Sequence, residues 1–225
     1  YIVSEFVPGE TLAALIKRQG RVDVKIALSL LITIGKALNY LHSVGVTHGG
    51  VNPGNIRTTP MGKVKLVDAG LAKKLALRPE QSRTKTSVTP IYLAPELVKK
   101  PARVDGRSDI YSLGITAYET LTGKKPFLAE TPHETVLRIL NQELDREDMK
   151  EAPRELVELI IRMTAKDPEK RPATMLEVVS EMTRIAEGLK SPRAVIPATA
   201  TEAEQTASKL LKVIIIAAVV AAIVI

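Results

Sequence analysis

The sequence contains no cysteine and no tryptophan, and it has only two phenylalanines and five tyrosines among its 225 residues. The absence of cysteine excludes disulfide bonds and thiolate metal sites. Because aromatic residues are scarce, the core must rest on leucine, isoleucine, valine and alanine. Hydrophobic residues still make up 45% of the chain, which is ordinary for a globular protein. We therefore expect one sizeable domain, with or without appendages.

The charge pattern gives no sign of nucleic-acid binding. The net charge is +7, but no basic stripe is interleaved with aromatic residues, so no nucleic-acid partner is predicted. The dispersed basic residues fit a solvated basic surface, and a surface close to anionic lipid is the alternative. The three histidines are too dispersed in the sequence to indicate a metal site.

The C-terminal region changes in composition twice. Residues 190–208 are small, polar and proline-containing, which is typical of a linker. The apolar run "VIIIAAVVAAIVI" then fills residues 213–225; as a helix it would span roughly 20 Å, against about 30 Å for a bilayer core. We interpret it as the start of a transmembrane helix, with a buried core helix as the alternative. Lys209 and Lys212 flank it on the domain side, so the positive-inside rule predicts a single-pass membrane protein with a cytoplasmic domain. No N-terminal signal peptide is recognised.

Hydrophobic periodicity predicts a mainly helical domain. A first helix is expected in "GETLAALIKRQG", and a longer one from an N-cap at Asp23 to a stop at Gly45. The longer helix carries an apolar stripe that we assign to the core: Ala27, Leu30, Leu31, Ile34, Leu38 and Leu41. Thr174 and Glu177 form a capping box at the start of the last predicted helix. The helices of the second half are predicted in "RSDIYSLGITAYETLTG", "TPHETVLRILNQ", "PRELVELIIRMTAKD" and "TMLEVVSEMTRIAEGL".

A short hairpin is predicted between the helical regions. "NIRTT" and "KVKLVD" are strand-like runs joined by the turn signal "PMG". The segment "HGGVNPGNIR", His48–Arg57, leads into this hairpin from the long helix. Residues 69–90 are polar, basic and without periodicity, which predicts a long loop of the kind that is usually functional or mobile.

Several motifs occur in a characteristic order. His48–Asn55 aligns with H-R-D-L-K-P-x-N, and Asp68-Ala69-Gly70 follows Asn55 by thirteen residues, where D-F-G belongs. "VTPIYLAPE" matches G-T-x-x-Y-x-A-P-E, and "DPEKRP" matches an arginine site near the end. On these motifs the sequence resembles the C-terminal lobe of a eukaryotic-type Ser/Thr protein kinase in its bacterial, membrane-anchored form.

The resemblance implies a mainly α, kinase-like C-lobe with a short β-hairpin at the cleft. Of the N-lobe, only the last strand and the hinge would be present. Four segments are expected: the last N-lobe strand and hinge (residues 1–8), the C-lobe (9–189), a linker (190–208) and the start of a transmembrane helix (209–225).

The same resemblance implies ATP and Mg²⁺ as cofactors. Asp68 and Asn55 match the two metal ligands, and both carry the oxygen donors that Mg²⁺ requires. Ser4 aligns with the gatekeeper, and the backbones of Glu5 and Val7 would meet the edge of the adenine. Phosphoryl transfer then needs positioning, charge neutralisation and a carboxylate that accepts the hydroxyl proton.

The catalytic loop departs from the family at two positions. The catalytic aspartate aligns with Gly50, which has no side chain. General-base help is worth about 10²–10⁴ in rate. The lysine that steadies the transferred phosphate aligns with Asn52, which is neutral and shorter. Together the two losses argue against efficient phosphoryl transfer.

Three further departures affect the cleft and its regulation. Arg57 occupies a strand position that is apolar in the family and floors the adenine pocket. A guanidinium there needs a partner or access to water, which argues against adenine binding. Ala69 replaces the phenylalanine that helps align the two lobes. The alternative is that this change is harmless. Gly49 replaces the arginine that pairs with activation-loop phosphate, so a phosphate there would lack its usual contact.

The scaffold residues of the lobe are retained. Glu96 and Arg171 match a buried ion pair, Asp109 matches the carboxylate that accepts N–H groups of the catalytic loop, and His48 is interpreted as a packing histidine. This combination predicts a membrane-anchored Ser/Thr pseudokinase that acts in signalling or scaffolding through protein partners. An active atypical kinase and an interaction lobe without ligand are the alternatives.

Overall fold

The computed structural model describes residues 5–69, 90–99 and 105–189. These residues are mainly helical, with a small antiparallel sheet in the order β1 (Glu10–Thr11), β2 (Ile56–Thr58) and β3 (Val64–Leu66). The helices of the described ranges are α1 (Leu12–Gln19), α2 (Val24–Ser43), α3 (Pro95–Lys99), α4 (Gly106–Thr122), α5 (Pro132–Asn141), α6 (Arg154–Met163) and α7 (Met175–Gly188).

Side-chain caps explain where the helices begin. The Asp23 carboxylate accepts two N–H groups of the first turn of α2, at 2.9 and 3.3 Å, as the sequence predicts. In α7 the Thr174 hydroxyl accepts the Glu177 N–H at 3.2 Å, which is one half of the predicted capping box. The Glu177 carboxylate accepts the N–H of Ala173 at 2.9 Å, so the return bond reaches one residue further back than predicted.

The core is centred on α2 and α4. The predicted apolar stripe of α2 is buried from Ala27 to Leu38, and only Leu41 is partly exposed. α4 is buried over most of its length, and α2 packs against both α4 and α7. At Gly35 of α2 an added Cβ would stand 2.7 Å from a methyl group of Val179, so the glycine lets α2 and α7 approach closely.

Among the described residues, α2 is the one helix with the length and hydropathy to cross a membrane, at 20 residues and mean hydropathy 1.4. Its apolar face packs against α4 and α7, which is the arrangement of a core helix. Three predicted segments lie outside the described residues: residues 70–89 of the long loop, the linker (190–208) and the transmembrane segment (209–225).

The predicted hairpin is confirmed but incomplete. β2 and β3 pair with Ile56 opposite Leu66, as expected for strands joined by a tight turn. β1, which the sequence did not predict, adds a third strand with Glu10 opposite Thr58. Residue Gly9 has φ +109°, and a Cβ there would lie 2.0 Å from the Thr58 carbonyl oxygen, so this approach of two backbones requires glycine. Residues 5–8 of the predicted N-lobe strand and hinge form no strand.

The connection between α1 and α2 is fastened to the end of α4. The Val22 N–H donates to the Thr120 carbonyl at 2.9 Å. α4 ends on Gly123, whose φ of +71° is left-handed, and a Cβ there would lie 1.7 Å from the carbonyl oxygen of Gly20. The two backbones are therefore in direct contact, with no space for a side chain between them.

Candidate active site

One buried carboxylate accepts hydrogen bonds from the segment that aligns with the catalytic loop and holds it in place. Asp109, in the first turn of α4, is fully buried. Its Oδ2 accepts the His48 N–H at 2.8 Å and its Oδ1 accepts the Gly49 N–H at 2.8 Å. The His42 ring nitrogen Nε2 lies 2.8 Å from the same Oδ2. Asp109 thus joins the end of α2, the loop and the start of α4.

His48 is fully buried, and both of its ring nitrogens are engaged. Nε2 lies 3.0 Å from the Val67 carbonyl, and Nδ1 accepts the Gly50 N–H at 3.2 Å. Because a carbonyl only accepts and an amide N–H only donates, these contacts assign the neutral tautomer with the proton on Nε2. Burial lowers the pKa of His48, against the opposing effect of the Asp109 and Asp68 charges. The ring is therefore a neutral structural element of the loop.

Asn52 and Asn55 both serve the loop itself. Each donates its side-chain amide to the Gly50 carbonyl at 2.9 Å. The Asn52 Oδ1 also accepts the Gly54 N–H at 2.8 Å, which caps the short 3-10 turn Pro53–Asn55. Asn52 is thus committed to loop geometry and supplies no cation. In Asn55 the amide nitrogen is used, so Oδ1 is the side-chain atom left for a ligand.

The two predicted metal ligands lie at adjacent strand ends. Asn55 comes directly before β2, and Asp68 follows β3 by one intervening residue, with an exposed side chain and φ +64°. The Val67 N–H donates to the Asn55 carbonyl at 2.9 Å, which holds the two ends together. The described residues contain no group of three or more histidine, aspartate or glutamate side chains suited to a metal. Two oxygen donors fit Mg²⁺ that arrives with phosphates and keeps several waters.

Arg57 finds its partner in Gly9, the residue directly after the predicted N-lobe strand and hinge. It lies in β2 opposite Lys65, and its Nη2 donates to the Gly9 carbonyl at 2.6 Å, while its Nε is buried without a partner. Lys65 pairs with Glu5 at 2.5 Å. Two cations of the sheet therefore contact residues 5–9. Val7 in that segment is buried, Glu5 is exposed, and Ser4, the predicted gatekeeper, lies outside the described residues.

Glu96 and Arg171 form a two-point ion pair. Arg171 Nη1 and Nη2 donate to the two Glu96 oxygens at 2.8 and 2.7 Å, and the arginine side chain is fully buried. The same guanidinium donates to the carbonyls of Ala165 and Arg107 at 2.8 and 3.0 Å. Burial alone would raise the pKa of Glu96, but hydrogen bonds from Arg171 and Ser108 hold it below its usual value. The pair ties residues 90–99 to the base of the domain.

A second tie to the same segment was not predicted. The Tyr92 hydroxyl donates to Glu119 at 2.5 Å, and the Ser112 hydroxyl donates to the Tyr92 carbonyl at 2.7 Å. Burial raises the pKa of Glu119, against the opposing effects of Tyr92 and Lys125. The signal available in the sequence is a glutamate within an otherwise uncharged stretch of a buried helix, which requires a hydrogen-bonding partner.

Comparison with known proteins settles the family. The model of the protein kinase domain matches residues 1–182. This chain belongs to the protein kinase domain family. It is 31% identical, over 96% of its length, to the probable serine/threonine-protein kinase CPE1738 of Clostridium perfringens. It is 34% identical, over 92% of its length, to the serine/threonine-protein kinase PknB of Mycolicibacterium smegmatis.

A third relative has a higher sequence identity over a shorter stretch of this kinase domain. The serine/threonine-protein kinase PknA of Mycobacterium tuberculosis is 40% identical over 58% of the chain. The chain spans about a third of the length of these relatives, at 31%, 33% and 30% respectively. The relatives are thus bacterial Ser/Thr kinases of which this sequence corresponds to one part.

Proposed function

We propose that this kinase domain is a Ser/Thr pseudokinase that acts in signalling or scaffolding by binding proteins rather than by transferring phosphate. The observation that carries the proposal is the glycine at position 50, where the family's loop pattern has its catalytic aspartate. A missing general base costs about 10²–10⁴ in rate, and the neighbouring loop positions offer no replacement.

The surrounding loop is stabilised around this gap. The Gly50 carbonyl accepts two side-chain amides, and the Gly50 N–H donates to His48. Asn52, at the position of the phosphate-steadying lysine, is held by its bonds within the loop. The retained skeleton of Asp109, Glu96 and Arg171 supports a folded lobe that presents surfaces to partners.

ATP and Mg²⁺ form a weaker, separable part of the proposal. Asp68 and Asn55 offer oxygen donors to a phosphate-bound Mg²⁺. Arg57 places a guanidinium on the strand that would floor the adenine pocket and holds it there through Gly9. We propose that nucleotide binding is metal-dependent and weak.

Membrane anchoring also belongs to the proposal. It is supported by the uncharged apolar run at residues 213–225 and by Lys209 and Lys212 before it. The positive-inside rule then places the kinase domain in the cytoplasm as part of a single-pass membrane protein.

A phosphoryl-transfer assay on the full-length protein tests the proposal. With radiolabelled ATP, Mg²⁺ and a mixed protein substrate, the wild type should stay at background. The double variant Gly50→Asp/Asn52→Lys should gain transfer, and adding Asp68→Ala should remove that gain. Phosphate incorporation by the wild type that disappears in Asp68→Ala would overturn the pseudokinase and establish an active atypical kinase, which the retention of Asp68 and Asn55 favours.

A further inference from the structure

The face of the small sheet that is turned away from the core carries two cations side by side. Arg57 of β2 and Lys65 of β3 are directly opposite each other in the antiparallel pair. Ile56 and Thr58, which alternate with Arg57 along β2, are buried and so define the core side of the strand. Opposite residues on one face have Cβ atoms about 4.5–5.5 Å apart. We call Arg57 and Lys65 the sheet-face pair.

The sheet supplies no counter-charge for the guanidinium of Arg57. Like charges at directly opposite positions destabilise a sheet, so Lys65 is an unfavourable neighbour for it. Its other cross-strand neighbour is Thr11 of β1, whose hydroxyl caps α1 by accepting the Ala14 N–H at 3.1 Å. Arg57 therefore has a cation on one side and a neutral hydroxyl on the other.

The Arg57 guanidinium has unused hydrogen-bond donors. Nη2 donates to the Gly9 carbonyl at 2.6 Å, and Nε is buried without a partner. Nη1 has no hydrogen-bond partner among the described residues, and unlike Nε it is not enclosed by protein atoms. A carbonyl oxygen carries only a partial negative charge. In the part of the chain that the structure describes, the charge of this half-buried group thus has no anionic partner, which is a costly arrangement.

Few carboxylates lie near the sheet-face pair. Glu5 pairs with Lys65 at 2.5 Å in an exposed contact, with side-chain exposures of 70% and 40%. Glu10 of β1 is engaged by Arg18 at 2.8 Å. Asp68 follows Lys65 by three residues, which is about 10 Å along an extended chain. Two cations of this face are therefore balanced by one adjacent carboxylate, and one positive charge remains.

Lys65 can bind an anion without giving up its contact with Glu5. An ammonium group has three N–H donors, and Glu5 uses one of them. Arg57 Nη1 adds two N–H donors on the neighbouring strand. The two side chains can therefore donate to the same oxyanion, whose charge neutralises the one that remains.

The position of the sheet-face pair gives it a role in ligand choice. In the protein kinase family the strand position of Arg57 floors the adenine pocket. A neutral base above a guanidinium takes water from the charge without supplying an anionic partner. An oxyanion at the same place accepts charge-assisted hydrogen bonds, which are about twice as strong as neutral ones. The chemistry of this floor thus favours an oxyanion over a neutral base.

We propose that the sheet-face pair binds the carboxylate or phosphate group of a small molecule, with Arg57 Nη1 and Lys65 Nζ as its donors. The proposal rests on the assignment of β2 to the floor of the nucleotide cleft, which is part of the proposed function. It does not depend on Mg²⁺, because Asn55 and Asp68 are not among the donors. It is also independent of the loss of the catalytic aspartate at Gly50.

The test uses malonate as the probe and malonamide as its neutral counterpart of matching shape. Amide chemical shifts of the full chain are followed by NMR at constant ionic strength, with EDTA and without nucleotide. Malonate should shift the amides of Gly9, Arg57 and Lys65 and should bind at least about tenfold more tightly than malonamide, equivalent to about 1.4 kcal/mol. Equal responses to the two probes would overturn the proposal.

Variants of the charged side chains give opposite expectations. Arg57→Leu and Lys65→Gln should each weaken malonate binding at least about fivefold, whereas Glu5→Gln should strengthen it by removing the adjacent negative charge. Lys65 and Glu5 are exposed, so their variants keep the fold. Lys25→Gln is the matched control, because it removes an exposed cation at the end of α2 that is remote from the loop leading into β2. Undiminished binding by Arg57→Leu, or equal losses in Lys65→Gln and Lys25→Gln, would contradict the site.

A final comparison identifies the chemical class of the ligand. Inorganic phosphate is titrated under the same conditions as malonate. Tighter binding of malonate assigns the site to a carboxylate, and tighter binding of phosphate assigns it to a phosphorylated compound. Absence of shifts at Gly9, Arg57 and Lys65 with both anions would overturn the site. The phosphoryl-transfer assay still decides separately whether the domain is a pseudokinase, since these titrations contain no nucleotide.

Discussion

The Arg57 guanidinium donates a 2.6 Å hydrogen bond to the Gly9 carbonyl. This bond joins two residues that are 48 positions apart and connects β2 with Gly9, directly after the segment predicted as the hinge. The arginine thereby satisfies one of its own donors with a backbone acceptor. It leaves its Nε buried without a partner, and such a group carries a free-energy cost.

Replacing Arg57 with leucine should improve nucleotide binding. The substitution restores an apolar residue at this strand position and removes the buried Nε. We expect the apparent Kd for Mg²⁺-ATP to fall by about tenfold, or about 1.4 kcal/mol. A thermal-shift titration of the full-length protein with and without Mg²⁺ measures this. Arg162→Leu, on the exposed side of α6, is the control, and equal ATP responses of both variants would refute the expectation.

Asp109→Asn should loosen the loop that aligns with the catalytic loop. Asn has one accepting oxygen where Asp109 uses two to hold the N–H groups of His48 and Gly49. We expect faster hydrogen exchange at these two amides and a loss of about 1–3 kcal/mol in unfolding free energy. The matched control is Asp105→Asn, because asparagine caps a helix as well as aspartate and the bond to the Arg107 N–H is kept. Unchanged exchange in Asp109→Asn would contradict this role.

Arg171→Ala should be severely destabilising. It leaves Glu96 without its two-point partner and removes one donor from each of the carbonyls of Ala165, Arg107 and Lys166. Removing one partner of a buried ion pair costs about 3–5 kcal/mol. Urea unfolding measures the change, with Arg162→Ala as the comparison, since its exposed pair with Glu181 should be worth about 0–1 kcal/mol. Similar losses for the two variants would be inconsistent with a structural role for the Glu96 pair.

Lys166 should make the free energy of unfolding depend on pH in the alkaline range. Its Nζ is buried without a hydrogen-bond partner and lies 4.2 Å from the centre of the Phe127 ring. Burial lowers the pKa of Lys166 from 10.5 to about 8. Between about 8 and 10.5 the unfolded chain therefore binds more protons than the folded domain, so the Lys166 contribution to stability rises with pH.

The comparison with Lys166→Met isolates this effect. Methionine removes the buried cation and keeps a flexible apolar stem, so the variant should be more stable than the wild type at pH 7. The difference should shrink as pH rises from 8 towards 10. Urea unfolding at intervals over this range provides the measurement. A difference that is independent of pH would show that the lysine is not titrating as described.

Local signals were sufficient to predict most of the helices and the hairpin. The N-caps at Asp23 and Thr174 and the buried stripe of α2 depend on residues within a few positions of one another. β1 could not be predicted, because its two residues become a strand only by pairing with β2 across the domain. α3 has five residues, which is too short for a periodic pattern.

The candidate site likewise has features that the sequence predicted and features that it did not. The ordered motifs predicted which residues belong to it, including Asp109 and the Glu96–Arg171 pair. The bonds from Arg57 to Gly9 and from Tyr92 to Glu119 could not be predicted, because they join residues 48 and 27 positions apart and follow from packing alone. The commitment of Asn52 to the loop likewise depends on the backbone path around Gly50.

The His48 ring bonds the catalytic-loop segment to Val67, which directly follows β3, and these bonds require the ring to be neutral. Its neutral form accepts from Gly50 and donates to Val67, and protonation would put a second donor against the Gly50 N–H. Because the pKa of His48 is lowered in the fold, protons favour the unfolded chain once the pH falls below the ordinary histidine value of about 6.5. Mild acid should thus lower the free energy of unfolding and weaken the contact between the loop and Val67.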